Sequence, residues 1–174
     1  MSAIIFRYFR FLLILLIALL SGCWLTQKDS TGFNTNVFEL LQSGVYGSRT
    51  LQESSATWIN NSADLEQIYA ALNKHQMGNN STLPDIDFEL FGVLLLEMGQ
   101  RPTGGYAIHF DPALSRVVDK KAGIHVNWKT PADGMLLTQA LTSPFLLLKI
   151  PKADIVSILV FDSDKEPLFE ISVP

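Results

Sequence analysis

The chain has 174 residues, 48% hydrophobic and only 17% charged, which excludes disorder over most of its length and suits one ordinary domain. A single cysteine excludes an internal disulfide framework and a cysteine-built zinc site. A net charge of −4 argues against a nucleic-acid partner gripped by its phosphates.

Residues 1–22 read as an export signal. Arg7 and Arg10 are followed by an unbroken apolar run from Phe11 to Leu20. As a helix that run is about 15 Å long, roughly half the ~30 Å hydrocarbon core, which suits a signal peptide better than a membrane span. Leu20-Ser21-Gly22-Cys23 resembles the lipobox of bacterial lipoproteins. That resemblance implies cleavage before Cys23 and lipidation of Cys23, several acyl chains being enough for stable anchoring. Trp24 follows the cysteine where an aspartate would imply retention in the inner membrane. The expected location is therefore the cell envelope, on the periplasmic face of the outer membrane. Loss of residues 1–22 takes the 13 basic residues to 11 against 17 acidic ones, a charge of −6.

Residues 23–42 form the lipidated cysteine and a polar tether, with Phe38, Leu40 and Leu41 opening the folded unit, and residues 43–174 form the domain. Ser43 to Ser48 carries two glycines and reads as a bend or bulge. Asn60-Asn61-Ser62 offers helix caps, with Asp64 and Glu66 in the first turn and Leu65, Ile68, Tyr69 and Leu72 as an amphipathic stripe. Met77-Gly78-Asn79-Asn80 ends that helix. Phe91–Glu97, Phe145–Ile150 and Ile155–Phe161 are apolar on both faces, as in covered strands. Tyr106–Phe110, Ile124–Lys129 and Phe169–Val173 alternate, as in half-buried strands. The predicted class is α+β, mainly β: a mostly antiparallel sheet or sandwich of about seven or eight strands with one amphipathic helix.

Catalytic and metal patterns are weak. His109 and His125 lie on polar faces and, with Asp111, are read as solvated side chains rather than metal ligands. Asp85 and Asp87 read as turn residues. Asp162-Ser163-Asp164 begins like a calcium loop, but Pro167 and Val173 stand where glycine and glutamate are needed. Neither a metalloprotease H-E-x-x-H, a G-x-S-x-G elbow nor a phosphate-binding loop occurs. No cofactor, metal or enzymatic activity is expected. A pocket holding His109 or His125 beside two carboxylates would reopen that reading.

One segment carries more information. Gly99 to Tyr106 joins two strands with Arg101, Pro102, Thr103, Gly104, Gly105 and Tyr106. Proline stiffens one end, and the glycines permit positive φ and close backbone approach at the other. Arg101 offers a fork of donors for a carboxylate or carbonyl. These six residues, with Thr142 and Pro144 beside them, are the candidate partner-binding surface.

In its order of features the chain resembles the PrcB C-terminal domain family, an accessory subunit of a bacterial protease complex. The resemblance runs over residues 43–162. It rests on Ser43-Gly44-Val45, Trp58, the helix around Leu65, and Pro84 to Phe88. Arg101 to Tyr106 and Thr138 to Phe145 leading into Ile150-Pro151-Lys152 are its most specific parts. It implies a non-catalytic module that supports a protein partner, a protease among the candidates. The chain departs from the family at Thr130 to Met135, before the second element. Pro102 to Tyr106 also resembles a loop of chagasin-like protease inhibitors, so inhibition through residues 101–106 is one alternative. Binding of an envelope ligand or glycan on Trp58 or Trp128 is the other.

Overall fold

The computed structural model describes residues 37–47, 52–74, 82–163 and 166–174. The signal segment, Cys23, Met77 to Asn80 and Asp164 lie outside them. Within the described residues eight strands run in chain order: β1 (Glu39–Gly44), β2 (Ser55–Ile59), β3 (Phe91–Glu97), β4 (Ala107–Val118), β5 (Lys121–Lys129), β6 (Phe145–Pro151), β7 (Ser157–Phe161) and β8 (Phe169–Ser172). Among the described residues one helix, α1 (Ser62–Asn73), falls between β2 and β3. The strands form two four-stranded sheets, ordered β1-β6-β3-β2 and β4-β5-β7-β8. Every pairing is antiparallel except β5 with β7. The α+β, mainly β class read from the sequence is the class observed.

The apolar runs of β3 and β6 follow from their place in the middle layer. They pair in register, Leu94 opposite Leu148 and Leu95 opposite Leu147. Because side chains alternate across a sheet, successive residues feed opposite faces. Leu94, Leu96, Leu146, Leu148 and Ile150 meet Ile108, Ile124, Val126, Ile158 and Val160 of the second sheet. Val93, Leu95, Phe145 and Leu147 meet Leu65, Tyr69 and Leu72 of α1. The architecture is thus helix, covered sheet, and a second sheet with one open face.

Helix α1 starts where its cap allows. Asn61 is extended, and its side-chain oxygen accepts a 2.9 Å hydrogen bond from the Asp64 backbone N–H. Asn61→Ala orphans that donor, and the expected cost is about 1 kcal/mol. Thermal unfolding should show it as a fall of about 3 °C in Tm; an unchanged Tm would count against the cap.

Two local readings are corrected. The sequence-based strand Tyr106–Phe110 stops before Asp111-Pro112, yet β4 continues to Val118. It does so through a bulge between Asp111 and Arg116, where the Asp111 carboxylate accepts from the N–H groups of Ala113 and Leu114. Ser115 Oγ donates to the Asp111 carbonyl and accepts from His125 N–H, so the bulge stays bonded. Strand β7, apolar on both faces by sequence, is covered on only one. Ile158 and Val160 are buried, whereas Leu159 and Phe161 are half-exposed on the open face.

Candidate docking site

The 101–106 turn leaves β3 beneath a chain of backbone hydrogen bonds. Met98 N–H donates to the Pro144 carbonyl at 2.8 Å. Gly99 follows with φ +76°, and a Cβ there would lie 2.6 Å from the Glu53 carbonyl oxygen, so only glycine fits. Arg101 and Thr142 then exchange two bonds, 2.8 and 2.9 Å, as an isolated antiparallel bridge. The Thr142 hydroxyl donates to the Thr103 carbonyl at 2.9 Å, and Gly104 N–H donates to the Thr138 carbonyl at 3.0 Å. Gly105, at φ +89°, packs against Leu137 and Pro131.

The turn is therefore stitched to the long connection between β5 and β6. Pro102 and Gly105 reach solvent; Arg101, Thr103, Gly104 and Tyr106 are half-buried. Thr142 is 4% exposed and Pro144 is buried, so these two brace the turn from beneath and offer no side-chain surface. Arg101 leans inward, its Nη2 3.3 Å from Ser54 Oγ and its guanidinium 6.0 Å from the Tyr106 ring centroid.

What this bracing displays is the connection itself. Met135 is 58% exposed, Leu136 stands fully in solvent, and Leu141 is 53% exposed. The segment lies between two strands yet contains none of its own. Connections of this length without regular structure are uncommon unless they do something. Sequence reasoning singled out Thr130 to Met135 only as a departure, took in Leu141 only as part of the Thr138 to Phe145 element, and passed over Leu136. The available signal was a pair of adjacent aliphatics in a stretch with no strand or helix period to hide them.

Other sequence candidates prove to be structural. The Asp87 carboxylate accepts from Glu89 N–H, and the Asp87 carbonyl from Phe91 N–H, at 2.9 Å each. Lys152 Nζ holds the Phe88 carbonyl at 2.6 Å. Asp162 accepts from Trp128 N–H at 3.0 Å. The strand register sets His109 opposite Asn127 and His125 opposite Asp111, so the two histidines are not cross-strand partners. Among the described residues no three His, Cys, Asp or Glu side chains converge. Trp58 lies over Gly92, and Trp128 packs 6.1 Å from Phe169. Both rings are thus engaged within the domain. Among the described residues no helix is long and apolar enough to cross a membrane.

Fold and site together define a β-rich domain that braces an apolar loop outward. Residues 93–151, from β3 through β6, match the family model described as PrcB C-terminal. The matched segment contains both the Arg101–Tyr106 turn and the connection it holds. No curated protein and no solved structure matches the chain.

Proposed function

We propose that this chain is a non-catalytic protein-interaction module, an accessory domain of a protease complex, held by lipid on Cys23 at the periplasmic face of the outer membrane. The observation that carries the docking role is the exposed Met135-Leu136 pair on a connection pinned by the Arg101–Thr142 bridge and the Thr138–Gly104 bond. A pinned apolar loop loses little conformational entropy on binding, which favours a protein partner. The hydroxyls of Thr103 and Thr142 are spent on backbone carbonyls, an arrangement suited to holding shape rather than to nucleophilic chemistry. The anchor reading rests on the lipobox resemblance at Leu20 to Cys23.

The test is capture from solubilised envelopes with the full-length chain. Leu136→Asp is expected to weaken partner recovery about thirtyfold, as for a central aliphatic anchor. Arg101→Ala and Gly104→Val should weaken it less, through loosening of the brace. Equal recovery by all three folded variants would overturn the proposal. A protease recovered active supports an accessory role; a protease recovered silent and released by Leu136→Asp would mean inhibition instead. Cys23→Ser should lose both palmitate label and membrane fractionation, and retained label would remove the anchor from the proposal.

A further inference from the structure

The open face of the second sheet is not a plain solvated surface. Arg116 and Val118 of β4, Lys121 and His125 of β5, and Leu159 and Phe161 of β7 surround a groove of about 670 Å³, the size class of small-molecule sites. Gly123 forms its floor, opposite Arg116 on one side and Leu159 on the other. Glycine weakens a strand interior, so its presence there calls for a reason. The sheet supplies none. A Cβ at Gly123 would lie 3.5 Å from the Arg116 carbonyl oxygen and 3.7 Å from Phe161 Cε2, both ordinary contacts. What the missing side chain leaves is depth.

The walls have a definite chemistry. His125 and Phe161 stack, centroids 5.0 Å apart and planes 18° from parallel, making an aromatic wall. Leu159 and Phe161 are the outward apolar residues of β7 that the second sheet leaves uncovered, unlike those of β6 beneath α1. Arg116 and Lys121 add two cations, and neither forms an ion pair among the described residues. Asp119 at the hairpin tip is the one acid in the lining. In a chain of net charge −4, a concavity with this balance is complementary to an anion.

We propose that this groove binds a small planar organic anion, its ring against the His125–Phe161 wall and its charge against Arg116 and Lys121. The site lies toward the end of β4 remote from the Arg101–Tyr106 turn, and it stands independently of the docking role.

The full-length chain in a non-ionic detergent is titrated with 2-naphthoate and with neutral 2-naphthamide by equilibrium dialysis, protein-free micelles as reference. Saturable binding of the naphthoate, about fivefold tighter than the amide, is the expected result. Arg116→Gln should erase that preference. Gly123→Val should weaken both probes at least tenfold, and Gly123→Ala should weaken them by a smaller amount, with far-UV circular dichroism unchanged for each. Equal affinity for the two probes, or wild-type binding by folded Gly123→Val, would overturn the proposal. Absence of naphthoate binding together with sedimentation on phosphatidylglycerol vesicles would overturn it in favour of a membrane-facing surface.

Discussion

Phe145→Ala is expected to destabilise the domain by about 4 kcal/mol, a large part of what holds a domain of this size folded. Phe145 is fully buried at the start of β6, in the cluster beneath α1. Its pairing partners Gly44 and Glu97 fix it on both sides. Gly47 presses on it so closely that a Cβ there would lie 3.1 Å from Phe145 Cδ1. Removing the ring leaves a cavity that these backbone-held neighbours are poorly able to close. The damage also spreads, because Pro144 and Ser143 just before it bond Met98, Val45 and Gly47 and so support the braced turn. Urea unfolding of the full-length chain measures the loss; a cost under 1 kcal/mol would mean the helix-side cluster contributes little.

The second large effect is at Gly92, a buried residue of β3. Trp58 of β2 lies across it, and a Cβ there would fall 2.1 Å from Trp58 Cζ2 and 2.4 Å from Cη2. The indole is rigid, and its buried Nε1 makes no hydrogen bond among the described residues, so shape alone seats the ring. Gly92→Ala must expel the ring or bend the central strand, an overpacking cost of about 3 kcal/mol. Trp58→Leu should relieve most of that strain, so the double variant is expected to lose less than the sum of the singles. Additive losses would show that the strand, not the ring, is what Gly92 protects.

How much of this was legible depended on which physical signal each part leaves in the sequence. The cap at Asn61 and the Leu65–Leu72 stripe of α1 are local features, and both are observed as read. The doubly apolar runs announced β3 and β6 as covered, which the helix and second sheet explain. The same rule applied to Ile155–Phe161 misled, because covering is a tertiary property: Leu159 and Phe161 are apolar yet face a groove. The alternation read at Tyr106–Phe110 breaks at Asp111-Pro112, but a side-chain-bonded bulge lets this edge strand continue past the proline. For the candidate site, the Arg101–Tyr106 turn was visible through its glycines and proline. Its burial was not, since the bonds to Thr138 and Thr142 arise between segments far apart in sequence. The exposure of Met135, Leu136 and Leu141 leaves no periodic trace; its one sign in the sequence is adjacent aliphatics in a stretch without strand or helix period.

The shared middle sheet has a consequence for how the molecule comes apart. In β3 and β6 odd and even positions supply different clusters. A slip of one residue in either strand would exchange every side chain between the two. Neither cluster can therefore dissolve while the other keeps its partners, and melting followed by tryptophan emission and by far-UV ellipticity should trace a single cooperative transition.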